Sequence, residues 1–168
     1  MKIFSIVGYS QSGKTTTAVA VIQELIRRGC TVGAVKETHH AIRTDAQGTN
    51  TDLLRQAGAS LVAARSINET HVFFEERLPL QRILPFFDYD YVVLEGVSDM
   101  SVPQIVTAID TEGIEAKLNA HTFAVSGVIS DTLREYKGLP VINGIADTAR
   151  LVSLIEEKAV IWQPDRTQ

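Results

Sequence analysis

The 168-residue sequence predicts an α/β domain, with a mainly parallel sheet flanked by helices. Three observations predict it. Short apolar runs alternate with amphipathic helical stretches along the chain. The first 35 residues hold a complete strand–helix–strand unit, which sets its two strands parallel. The turn inside that unit is rich in glycine and serine and ends in Lys14-Thr15.

Ile3 to Val7 is a short apolar run, broken only by Ser5 and closed by Gly8, the pattern of a strand buried on both faces. From Thr15 to Arg28 the apolar positions Ala18, Val21, Ile22, Leu25 and Ile26 recur at helical spacing, and Arg27-Arg28-Gly29 makes a good C-terminal end. Cys30 to Val35 reads as the second strand. Residues 37–52 form a polar loop, and Thr51 to Gly58 is a short helix. Leu61 to Ala64 and His71 to Phe74 are short strands close enough for a hairpin. Leu80 to Phe87 is expected as a helix. Tyr91 to Leu94 is a buried strand, followed by strands at Gln104 to Ile109, Phe123 to Ile129 and Leu139 to Ile142. Asp147 is placed to cap a last helix ending at Lys158. The reading is one domain over residues 1–162, with a polar tail at 163–168.

Composition narrows the function. Apolar residues are 45 % and charged residues 21 %, ordinary for a globular chain and unlike a disordered one. The longest apolar runs fall far short of the ~18 residues of a membrane span. The opening Met1-Lys2 leads into a run of just five residues, four of them apolar, so no secretory signal is expected. The lone cysteine, Cys30, fits a reducing compartment. Net charge is −4, but residues 1–66 carry +4 and the remainder −8. An anionic ligand is therefore expected at the first part, and long contact with nucleic acid is disfavoured.

Gly8-Tyr9-Ser10-Gln11-Ser12-Gly13-Lys14-Thr15 matches G-x-x-x-x-G-K-[ST] at every fixed position, between a buried strand and an amphipathic helix. Glycines let the backbone curl so that several N–H groups face one phosphate, and the helix that follows, opening through Thr16, adds its own free N–H groups. Lys14 reaches the β- and γ-phosphates and acts in catalysis. The Thr15 hydroxyl ligates Mg²⁺. This predicts a P-loop NTPase fold and nucleoside triphosphate binding, with the base unspecified by the loop. A carboxylate for the metal is expected at the end of another buried strand. Glu95, directly after Tyr91-Val92-Val93-Leu94 and before Gly96, is that residue. Asp88, Asp90 and Asp99 read as loop acids. After the second strand, Lys36 is expected to add positive charge at the phosphates and His39 and His40 to contact a polyanionic ligand; Asp45 or Glu37 is expected to position a water or an outer-shell metal, with Asp45 the preferred residue for orienting water. The histidines lack the spacing of a structural metal site.

Four segments together resemble the molybdopterin-guanine dinucleotide biosynthesis protein B family (MobB). They are Gly8 to Thr16; Val35-Lys36-Glu37-Thr38-His39-His40; Asp45 to Thr51 running on to Ala57-Gly58-Ala59; and Val93-Leu94-Glu95-Gly96. The chain departs from the family pattern at Glu37, a histidine there; at Thr49-Asn50, where the family has lysine and aspartate; and at Val97-Ser98, where it often has Phe-Lys. The resemblance implies a cytoplasmic homodimer that binds GTP and has weak Mg²⁺-dependent GTPase activity. It also implies assistance in attaching GMP to molybdopterin, beside a molybdenum cofactor nucleotidyltransferase; charge and the short apolar runs, for their part, argue against a nucleic-acid or membrane partner. No Asn-Lys-x-Asp sequence is present to read guanine. Asp131, in Ser130-Asp131, is a candidate, since one carboxylate accepts both the N1–H and N2–H of guanine. Two other readings stand beside a slow GTPase: a nucleotide-loaded adaptor in which hydrolysis is incidental, and a small-molecule kinase, which an Arg-rich lid would have favoured. Edge pairing of the strands between Leu61 and Phe74 is a route to the dimer.

Overall fold

The computed structural model describes residues 1–38 and 45–163. Its elements open with β1 (Lys2–Gly8), α1 (Lys14–Arg27), β2 (Val32–Lys36), α2 (Asn50–Gln56), β3 (Leu61–Arg65), β4 (Thr70–Phe74) and α3 (Leu80–Ile83). They continue with β5 (Tyr91–Glu95), β6 (Gln104–Thr107), α4 (Thr111–Glu115), β7 (Thr122–Ser126), β8 (Glu135–Tyr136), β9 (Leu139–Pro140), α5 (Thr148–Lys158) and β10 (Val160–Ile161). The chain divides into two compact units, one from residues 1–38 and 87–163, the other from the described part of 39–86.

In the first unit the sheet order is β2-β5-β1-β6-β7, and every one of these pairings is parallel. The first strand thus lies between β5 and β6, which explains why Ile3, Phe4, Ile6 and Val7 are all buried. On one face α1 contributes Ala18, Val21 and Leu25, three and four residues apart, while α5 adds Leu151, Val152 and Ile155. They close over Phe4, Ile6, Val93 and Ile105. Arg28 ties the end of α1 to α5 by donating to the Glu156 carboxylate at 2.7 Å and the Ala149 carbonyl at 2.6 Å.

Several boundaries differ from the sequence expectation. The second strand starts at Val32 rather than Cys30 and runs on to Lys36. The strand expected to run to Ile109 stops at Thr107, and the one expected to run to Ile129 stops at Ser126. Gly127, at φ 86°, turns the chain out of the sheet into a 3₁₀ turn over Val128–Asp131. The expected helix Leu80 to Phe87 is a four-residue helix and a 3₁₀ turn over Leu84–Phe86, because Pro85 supplies no amide donor. The helix α4 was not expected, although Asp110 marks it: its Oδ1 accepts from the Gly113 amide at 2.7 Å. At α5 the reverse holds. Asp147 occupies the N-cap position but makes no capping bond, and its carboxylate lies 3.7 Å from Arg150. The late strand shrinks to β9, which pairs antiparallel with β8 across Lys137-Gly138, both at positive φ. The unexpected β10 pairs antiparallel with Lys2 and Ile3, where β6 has not yet begun.

In the second unit β3 and β4 form the expected antiparallel hairpin, from Leu61↔Phe74 to Arg65↔Thr70. Thr49 caps α2 by accepting from the Asp52 amide at 3.2 Å. Arg55 of that helix donates to Asp52 at 3.3 Å and lies over the Phe73 ring at 5.4 Å.

Candidate nucleotide site

The parallel strands of the first unit end at one edge, and the chain from Gly8 to Lys14 leaves from it. Close packing fixes this loop. A Cβ on Gly8 would come 2.2 Å from the Thr107 carbonyl oxygen, so the loop begins against β6 with no room for a side chain. The buried Ser12 and Thr107 hydroxyls lie 2.8 Å apart, and the carbonyls of Tyr9 and Val7 are within hydrogen-bond reach of them. On the other side the Val128 amide donates to the Ser12 carbonyl at 3.3 Å. A Cβ on Gly127 would come 2.1 Å from that same oxygen. Gln11 and Gly13 adopt left-handed φ values of 63° and 94°, which curl the backbone. Gly13 then opens α1 as an N-cap without a side chain to satisfy the first amides, leaving the positive end of a 14-residue helix toward the loop.

Four of the residues singled out from the sequence meet here. Lys14 folds back along the loop, its Nζ 2.5 Å from the Tyr9 carbonyl. Thr15 donates through Oγ1 to Glu95 Oε1 at 2.7 Å. Lys36 donates to the same carboxylate oxygen at 2.6 Å and stands 3.5 Å from Thr15 Oγ1. The sheet register produces this meeting. Glu95 pairs with Ile6 on one side and Lys36 on the other, and Gly96 then turns the chain at φ 81°. Burial pushes the Lys14 ammonium below its usual range; Glu95 opposes this, while Lys36 and Lys117 add to it. For Glu95, burial raises the carboxyl pKa, but the hydrogen bonds from Lys36 and Thr15 outweigh it and hold the group below its ordinary value.

That balance makes a pH prediction. A carboxylate held below its unfolded value adds stability above the unfolded value, and loses it as pH falls through the folded one. In Lys36→Met the burial remains and the strongest opposing contact goes. Glu95 should therefore titrate at higher pH than in the unaltered protein, read by NMR on its side-chain carbon. An unchanged titration would mean that Lys36 does not set its charge.

The Thr15 hydroxyl and Glu95 carboxylate already face an ammonium group, so this pair of oxygens suits a hard cation such as Mg²⁺. Among the described residues no three His, Cys, Asp or Glu side chains gather as metal ligands, so phosphate and water oxygens would complete such a shell.

Beside the loop lies a cleft of about 190 Å³ that shares Gly13 with it, takes in Thr16 of α1 and extends to Gly127, Val128, Asp131 and Asn143. Asn143 donates to Asp131 Oδ1 at 2.9 Å. Sequence reasoning placed Asp131 but missed Asn143, Gly127 and Thr107. The Asn143-Gly144 turn after an apolar run was the available signal for Asn143.

The remaining candidates are distributed as follows. Tyr9, Ser10 and Gln11 are exposed along the loop, with Lys117 Nζ 4.8 Å from the Tyr9 ring centre. Asp45 belongs to the second unit, where it accepts from the hydroxyls of Thr49 at 2.9 Å and Thr51 at 2.7 Å. These bonds, Thr51 first, hold it below the ordinary carboxylate value. His39 and His40 lie outside the described residues. No helix among the described residues is long and apolar enough to cross a membrane.

The chain is similar to known proteins in sequence and in fold. A Methanocaldococcus jannaschii protein described as a putative molybdopterin-guanine dinucleotide biosynthesis adapter protein is 30 % identical over 129 residues, 73 % of this chain. The match spans only about half of that relative, 53 % of its length. A Bacillus subtilis protein described as a probable adapter of the same kind is 25 % identical over 146 residues, covering 84 % of each chain. The crystal structure of Bacillus subtilis MobB superposes with a TM-score of 0.76 over 95 % of this chain and 99 % of that one, at 23 % identity, which establishes the fold. The family model for molybdopterin guanine dinucleotide synthesis protein B matches residues 3–131, from β1 through the phosphate loop and Glu95 to Asp131. This chain is a member of that family.

Proposed function

We propose that this protein binds GTP with Mg²⁺ on the Gly8–Thr15 loop and serves as an adapter in molybdopterin-guanine dinucleotide biosynthesis. The observation that carries the reading is the meeting of Lys14, Thr15 and Glu95 at the end of the central strands, beside a loop clamped by Thr107 and Gly127. The backbone amides and the start of α1 bind the phosphates, and the Lys14 ammonium offsets charge at their far end. Mg²⁺, held by Thr15 and Glu95, would neutralise phosphate charge. The role in cofactor maturation is supported by family membership and by the described role of its relatives. Its macromolecular partner would be a molybdenum cofactor nucleotidyltransferase, and its cargo a molybdopterin-type cofactor.

Hydrolysis, where it occurs, is slow. Asp45, the group proposed to orient water, has its oxygens engaged by Thr49 and Thr51. The residues Thr49 and Asn50, standing where the family has lysine and aspartate, favour the adaptor reading, with turnover incidental or partner-dependent. The active form is a homodimer, paired through the β3–β4 hairpin, where Leu61 and Val72 are about half exposed. Phosphate release from GTP and sedimentation of the same sample test the proposal. Turnover well below the ~10 s⁻¹ of a typical enzyme, Mg²⁺ dependence and a dimer mass are expected. Rapid release independent of the nucleotidyltransferase would overturn the adaptor reading, and a monomer at micromolar concentration would overturn the dimer.

A further inference from the structure

The cleft beside the phosphate loop has the chemistry of a base pocket. Gly13 and Gly127 give it walls without side chains. Gly144 lies too close to α1 to carry one, since a Cβ there would be 2.9 Å from Thr17 Cγ2. Val128 and Ile145, 47 % and 68 % exposed, offer apolar surface to the same cleft. That is a narrow apolar slot with one acid, Asp131, among its lining residues.

Asn143 decides which way that acid is presented. Its Oδ1 accepts from the amides of Ile145 at 3.0 Å and Ala146 at 2.9 Å. The backbone thereby fixes the orientation of the side-chain amide, so Nδ2 must be the atom that meets Asp131 Oδ1 at 2.9 Å. One carboxylate oxygen is held, and the other is left as a pure acceptor. Two neighbouring acceptors match a base edge with two neighbouring donors. Guanine has that edge, in N1–H and N2–H. Adenine presents an acceptor at N1 and cannot make the pair.

We infer that Asp131 reads the guanine edge of the bound nucleotide, and that Asn143 is a positioning residue that locks Asp131 for this contact. The inference rests on the proposed nucleotide binding and adds the residues that choose its base.

The test measures GTP, ATP and XTP affinity with Mg²⁺ for the unaltered protein, Asp131→Asn and Asn143→Asp. In Asp131→Asn the oxygen remains opposite Asn143 Nδ2, and the group turned to the cleft becomes a donor. The GTP-over-ATP ratio should fall about tenfold to hundredfold, and XTP, whose O2 accepts where guanine donates, should bind better than GTP. Asn143→Asp keeps the acceptor for Ile145 and Ala146 but loses the donor to Asp131. It should lower the same ratio without creating XTP preference. A general loss of structure would weaken all three nucleotides together and leave the ratios unchanged. If the unaltered protein prefers GTP and Asp131→Asn keeps that preference, this inference fails and nucleotide binding stands. If the unaltered protein binds no nucleotide, the proposed function fails and takes this inference with it.

Discussion

Lys14→Ala should weaken Mg²⁺–GTP binding by about a hundredfold or more while leaving the fold intact. A charge-assisted hydrogen bond to phosphate contributes up to about 3 kcal/mol, and each 1.4 kcal/mol is tenfold in affinity. The folded protein has little to lose. Lys14 is only half-buried, and its hydrogen bond is to the Tyr9 carbonyl of the loop it closes over. Burial already disfavours its charge. Stability should therefore stay within about 0.5 kcal/mol, the usual range for a substitution away from core features. Calorimetric titration and urea denaturation on the same sample separate the two quantities. Equal GTP affinity in variant and parent would show that this loop does not hold the phosphates.

Gly127→Ala should do the opposite and damage stability and binding together. The new Cβ would sit 2.1 Å from the Ser12 carbonyl oxygen and 3.0 Å from the Ala108 amide nitrogen, all backbone that no rotamer change can move. The residue would also keep a left-handed φ of 86°. Left-handed strain costs roughly 1–2 kcal/mol and overpacking roughly 1–3, so a loss of about 2–5 kcal/mol in urea denaturation is expected. Relief of the clash would push Ser12 and the loop outward, so nucleotide affinity should fall as well. Gly138→Ala is the control. Its φ is 79°, but nothing lies within 4 Å of the added carbon. It should lose about 1–2 kcal/mol and keep its nucleotide affinity. Equal effects of the two substitutions would show that the contact with Ser12 has no role.

Much of this was legible in the sequence because it is local. Ile3 to Val7, the α1 stripe and Tyr91 to Leu94 are buried runs whose periodicity needs no knowledge of the rest of the chain. The phosphate loop is likewise a contiguous pattern. The place of Glu95 at the sheet edge is legible because a carboxylate directly after a buried strand emerges there. What escaped depends on residues far apart in sequence. Gly127 looks like any glycine until β7 lies beside β6 and brings it against Ser12. Thr107 matters because the parallel register sets it opposite Gly8. Asn143 acquires its role from Asp131, twelve residues earlier. The strand β10 was missed because two apolar residues after a helix carry no periodicity, and β1 alone gives them a partner.

The clamped loop, with Thr15 and Glu95 at its end, is the proposed seat of a Mg²⁺–nucleotide. The most direct measurement is calorimetric titration of the unaltered protein with GTP, once with Mg²⁺ and once with the metal chelated. The structure predicts one GTP bound per chain, with affinity at least about tenfold higher when Mg²⁺ is present. Binding that ignores the metal would contradict the role given to Thr15 and Glu95, and absence of binding under both conditions would contradict the claim itself.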